Sequence, residues 1–90
     1  MHTAHQDFPA CFEYEVKYNG DPLIKNGTKK NNYGKANDAL ACRGKCLDTS
    51  GCGWFNWDKD GFCWLNKNKG TKENEPTGVS GPRSCEEGKN

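Results

Sequence analysis

The sequence predicts a small α+β domain in which an antiparallel β-sheet packs against one α-helix and disulfides do much of the stapling. The first observation is size: 90 residues with 32% hydrophobic content make one small domain. A mean hydropathy of −1.08 leaves little apolar material for an ordinary core. Leu, Ile, Val and Phe supply 11 residues, about 12%, below the roughly 20% at which disorder becomes the default. A net charge of only +1 does not hold the chain open, however, and ten aromatics with six cysteines offer dense contacts. The cysteines are the second observation: an even number in so short a chain fits an oxidising, extracellular compartment, where disulfides replace missing burial. The third is periodicity, which changes from strand-like to helical and back.

Phe12-Glu13-Tyr14-Glu15-Val16-Lys17-Tyr18 alternates apolar with charged, the pattern of a strand with one buried face. Asn19-Gly20-Asp21-Pro22 stops it with turn residues. Leu23-Ile24-Lys25 reads as a short second strand, with Asn26-Gly27 able to supply a tight hairpin turn, and Asn26 to Gly34 reads as polar loop. A helix is expected from Asn37 to Leu47, with Asn37 as N-cap and Asp38 in the first turn to meet the dipole. Cys42 and Cys46, four apart, then share one helix face with Ala39. Gly44 weakens this helix by roughly 1 kcal/mol relative to Ala, and its lack of a side chain can permit close packing.

Trp54-Phe55-Asn56-Trp57 and Phe62-Cys63-Trp64-Leu65 flank Asp58-Lys59-Asp60-Gly61, a β-hairpin with Asp-Gly in its turn, placed at the centre of the sheet. Strand alternation divides Trp54, Trp57 and Trp64 between core and surface. Residues 66 to 78 are polar, and Val79 leads into a last strand reaching Cys85. Residues 1–10 and 86–90 read as linkers around a domain spanning 11–85. The polar start from Met1 to Asp7 has no apolar run, and no stretch approaches a membrane span, so membrane insertion is not expected and the chain reads as a module excised from a larger exported protein.

The cysteine order is Cys11, then Cys42-x3-Cys46-x5-Cys52-x10-Cys63, then Cys85. Here the chain resembles the PAN/apple family, which has a helix carrying two cysteines four apart, then Cys-x-x-Phe-x-aromatic, then Cys-x-Leu. The matching residues are Cys42 and Cys46, then Cys52 with Phe55 and Trp57, then Cys63 with Leu65, and the likeness covers residues 11 to 85. Spacing alone leaves every pairing open. The resemblance implies a nest of Cys11 with Cys85, Cys42 with Cys63 and Cys46 with Cys52, and a sheet crossed by one helix. Within the family, the Lys- and Asn-rich style is similar to a repeat of an apicomplexan microneme protein of the Eimeria type.

Other chemistries find less support. Zinc would want Cys-x2-Cys knuckles, which are absent, and His2 and His5 lie outside the cysteine framework, so neither metal nor cofactor is expected. Asn56-x-Asp58-x-Asp60-Gly61 begins like a calcium loop, but Lys67 stands where the bidentate glutamate belongs, so a hairpin turn is the better reading. Asn26-Gly27-Thr28 is a formal glycosylation sequon, about as frequent as chance provides in so Asn-rich a chain. Catalysis is not expected: the histidines sit in the tail and full pairing leaves no thiol as nucleophile. Lys25, Lys29, Lys30 and Lys35 form a candidate patch for sulfated glycans or acidic partners, against the plainer reading of a solvated loop. A net charge of +1 gives no nucleic-acid footprint.

The function expected from the resemblance is binding: an extracellular adhesive module, one repeat of a larger secreted protein. Its partners would be a host cell-surface protein or glycan, or other microneme proteins. The alternatives are a free-standing disulfide-rich inhibitor or effector, a spacer between active domains, and an apple module of a coagulation-type protease.

Overall fold

The computed structural model describes residues 8–23 and 32–85. Its elements are β1 (Glu13–Tyr18), β2 (Asn32–Lys35), α1 (Ala39–Leu47), β3 (Trp54–Trp57), β4 (Phe62–Asn66) and β5 (Lys72–Pro82). The strands form one antiparallel sheet in the order β1-β5-β3-β4-β2, and α1 packs on one face of it. This is a small α+β fold, with the aromatic hairpin β3–β4 in the interior of the sheet.

Alternation along the strands sorts side chains between two faces. Phe55, Cys63, Leu65 and Val79 point to α1 and meet Ala39, Cys42 and Cys46, each at 0% exposure on the helix. Phe12 closes this core edge-on against Phe55, 5.0 Å between ring centroids. Packing begins ahead of Cys11, since Phe8 sits against Phe12. Three disulfides bolt the helical side: Cys11–Cys85, Cys42–Cys63 and Cys46–Cys52, the nested arrangement described above. They also suit an extracellular setting. Among the described residues no helix is long and apolar enough to cross a membrane.

Four local expectations need correction. The helix N-cap is Asp38 rather than Asn37: Asp38 has extended backbone angles and its Oδ1 accepts from Ala41 N–H at 2.8 Å, satisfying a first-turn donor. Asn32–Lys35, within and just beyond the expected polar loop, forms edge strand β2 on β4, because an edge strand is held by main-chain bonds and needs no apolar pattern. The last strand starts at Lys72 and not near Val79; its first residues are exposed and therefore polar, and they pair with β1. Of the expected strand at Leu23, only an isolated bridge, Pro22 to Asn66, is seen, and Ile24, Lys25 and the Asn26-Gly27 turn lie outside the described residues.

The largest departure lies in β1. Phe12 and the three apolar residues of β1 do not share one face: Phe12 and Tyr14 join the helix-side core, whereas Val16 and Tyr18 cluster with Trp54 on the other side. The pairing jumps from Tyr14↔Val79 to Val16↔Asn74, and Glu15 at the break has φ 64°, a left-handed conformation uncommon outside glycine. Beyond the bulge β1 stays paired with the start of β5, and Val16 and Tyr18 lie on the face opposite α1.

Candidate functional site

The face opposite α1 is built around that segment. Tyr18 N–H donates to Asn56 Oδ1 at 2.9 Å, and Tyr18 C=O accepts from Asn56 Nδ2 at 2.9 Å and Asn66 Nδ2 at 3.2 Å. Asn56 is on β3 and Asn66 on β4, so these bonds reach past β5, the neighbour of β1 in the sheet, and the end of β1 must run across the face. Ser80 Oγ, on β5, lies within hydrogen-bonding distance of both Val16 O and Asn56 Oδ1. Asn56, Asn66 and Ser80 are buried, at 7%, 3% and 0% exposure, and the polar cluster supplies partners for the main-chain groups of Val16 and Tyr18 in addition to the ladder with β5. The chain then reaches the far edge, where Leu23 N–H donates to Leu65 O and Lys67 N–H to Asp21 O.

Beside the crossing lies a cavity of about 300 Å³, the candidate site. Asn56, Trp64 and Asn66 contribute to it from the sheet, Tyr18 and Pro22 from the crossing segment, and Lys17, Asp58 and Glu75 carry its charge. Trp64 is half-buried and its ring lies 5.7 Å from that of Phe62. Asp58 follows β3 and organises the hairpin turn: its Oδ1 accepts from Asp60 N–H at 2.9 Å and from Phe62 N–H at 3.4 Å. Gly61 completes the turn at φ 93°, which a side chain would disfavour. Of the residues that begin like a calcium loop, Asp58 thus serves the turn through Oδ1, and the Asn56 amide is bonded to Tyr18. Glu75 enters from the irregular stretch of β5 opposite the Glu15 bulge.

At the edge of the same face Lys69 Nζ stands 4.7 Å from the Tyr18 ring centroid and 4.9 Å from that of Trp54, and 3.4 Å from Glu13 Oε2. Tyr18 OH donates to Glu13 Oε1 at 2.6 Å. Burial, reinforced by that bond and by the Glu13 charge, pushes the Tyr18 phenol up to about 12. Two aromatic rings and a carboxylate therefore hold an ammonium within the chain. A second, more open hollow of about 600 Å³ lies near the start of α1, among Tyr14, Leu40, Pro76 and Val79.

Three lysines of the candidate patch, Lys25, Lys29 and Lys30, lie outside the described residues, as does the Asn26 sequon. Lys35 is tied to the hairpin, donating to Asp60 O at 3.0 Å and standing over the Phe62 ring at 4.7 Å. The three tryptophans divide as alternation requires. Trp57 faces the helix and donates from Nε1 to Ala36 O, Trp54 is buried under Tyr18, and Trp64 lines the cavity. Asn56, Asn66 and Arg83 were missed from sequence. Asparagines inside two aromatic-rich strands were the available signal for the first two, because a polar residue in a central strand needs a partner. Arg83 gave none: its guanidinium donates to Leu47 O, Thr49 O and Cys52 O, closing the end of α1 and the Cys46–Cys52 loop. Among the described residues no group of three His, Cys, Asp or Glu side chains is placed to hold a metal ion. Compared with known proteins, the chain matches no family model and no curated protein.

Proposed function

We propose that this chain is an extracellular binding module of the PAN/apple type, a domain that recognises a protein or carbohydrate surface rather than one that performs chemistry. The observation that carries the reading is the cross-linked frame. Cys42 and Cys46 fasten one helix to the hairpin and to the loop after it, and Cys11–Cys85 ties the two ends together. Joined ends suit a unit repeated in series, where modest affinity per copy rises through effective concentration. The style of the sequence extends the proposal to one repeat of a secreted adhesin, of the kind apicomplexan microneme proteins use to attach to host cells.

The test is binding of the oxidised domain, as monomer and as an artificial tetramer, to host-cell surfaces and to neutral, sialylated and sulfated glycans, with reduced protein as control. Retention by the oxidised tetramer that is lost on reduction is the expected result. Silence of the tetramer on every surface would reject an adhesive role.

A further inference from the structure

Resting on the reading as a binding module, we propose that the cavity beside the β1 crossing is the contact site and that it receives a basic side chain, lysine or arginine, from a protein partner. The cavity, about 300 Å³, is at the small end of ligand sites and suits one long side chain rather than a large molecule. Its lining sets Asp58 and Glu75 against the single cation Lys17, so an entering positive charge is favoured over an anion. Trp64 supplies an indole, the best ring for a cation. Among the described residues no cation is within ion-pair distance of Asp58 or Glu75; the ion pair found there is Lys69 with Glu13.

Hydrogen-bond accounting separates a cation from a neutral sugar. A sugar ring needs several directed partners, yet the amides at the base of the cavity are already occupied: Asn56 holds both main-chain groups of Tyr18, and Asn66 holds its carbonyl. Asp58 Oδ1 is spent on the hairpin turn. What the cavity still offers is charge and an aromatic ring, which attract a cation without demanding a fixed set of lone pairs. The same face shows the chemistry in use, because Lys69 is held by two rings and a carboxylate a short way off.

The probe is a capped glycine–arginine–glycine peptide, titrated to about 10 mM into the oxidised domain and followed through the indole N–H resonances, since one side chain gives weak affinity. Its partner probe replaces arginine with citrulline, nearly the same shape without the charge, so the comparison is independent of the protein's folding. The Trp64 resonance should move with the arginine peptide, and binding should weaken roughly tenfold with citrulline, several-fold with Glu75→Gln, and further at high salt. Near-ultraviolet dichroism checks that the Glu75→Gln variant keeps its fold. Equal binding of citrulline, an unchanged Glu75→Gln variant, or a still Trp64 resonance at the highest arginine concentration overturns the assignment. Movement of Trp64 with methyl galactoside instead would also overturn it, by making the cavity a sugar site, and would leave the binding-module reading standing. Arginine-specific shifts from a domain whose tetramer binds no cell or glycan would do the reverse.

Discussion

Replacing Asn56 with alanine tests whether buried amides hold β1 across the sheet. Three consequences follow from the geometry. Tyr18 N–H loses its acceptor at 2.9 Å, whereas Tyr18 C=O keeps Asn66 and the Ser80 hydroxyl keeps Val16 O. One buried donor is therefore orphaned, at a cost of about 1–3 kcal/mol. For a domain of this size that lowers Tm by roughly 5–20 °C. The control is Asn68→Ala, which removes two hydrogen bonds, from Asp21 N–H at 3.0 Å and to Asp21 Oδ2 at 3.1 Å, but on an exposed loop where water takes over. It should cost less than about 0.5 kcal/mol. Thermal melts with the disulfides intact give the stabilities, and amide hydrogen exchange reports on Tyr18 itself. If the two variants melt together, or if the Tyr18 amide stays protected in Asn56→Ala, burial is not what gives these bonds their weight and the reasoning fails.

Gly44 has open space where a Cβ would go, so Gly44→Ala should stabilise α1 by about 1 kcal/mol and raise Tm; a lower Tm would mean that the helix's outer face is packed. At Gly81 a Cβ would stand 3.0 Å from ring atoms of both Phe12 and Phe55, so Gly81→Ala should cost about 1–3 kcal/mol by overpacking, read by denaturant titration, and a neutral result would show slack in the core. Removing the Cys42–Cys63 bridge by paired alanine substitution releases a loop of sequence separation 21 and should cost about 3 kcal/mol, with a chemical-denaturation midpoint unchanged from the parent as the contrary result. The fold prefers the neutral phenol of Tyr18, so that contribution is complete below the unfolded value of 10.0 and fades as pH rises through about 12. Melts from pH 9 to 12 should show stability falling over this window, less steeply in Tyr18→Phe; identical slopes would remove Tyr18 as the cause.

Local signals made much of the fold legible. Two cysteines and an alanine at helical spacing marked the buried face of α1, and the aromatic runs around Asp58–Gly61 marked the central hairpin. In both, one local pattern reports one burial pattern. The β1 segment shows where that correspondence ends: its apolar–charged alternation runs unbroken through Glu15, yet the backbone turns left-handed there and the buried residues change sides. Period 2 records which residues avoid water, and it carries no record of which layer shelters them. Strand β2 and the first half of β5 were illegible for a different reason, because their places are fixed by main-chain pairing with β4 and β1, which asks for no apolar pattern. The candidate cavity was hidden for the first reason. It exists only because β1 crosses the sheet, so Lys17, Asp58, Trp64 and Glu75 come together through a bulge that no spacing announces.

The two faces of the sheet are therefore held by different means. On the helical face the disulfides Cys42–Cys63 and Cys46–Cys52 reinforce an apolar core. On the other, Val16, Tyr18 and Trp54 form a small apolar cluster, and the crossing main chain is fixed by Asn56, Asn66 and Ser80 with no cystine among them. Hydrogen bonds are directional where apolar burial is not, and a crossing segment needs its register fixed more than it needs additional burial. A side-chain amide offers a donor and an acceptor together, which matches the two main-chain groups of one residue; a hydrophobic residue at position 56 satisfies neither. Asparagine in a central strand, costly by propensity, is thus the residue that this crossing requires. The cavity inherits that rigidity, since Asn56 both anchors Tyr18 and contributes to the lining beside Trp64, so whatever enters meets a wall already held in place.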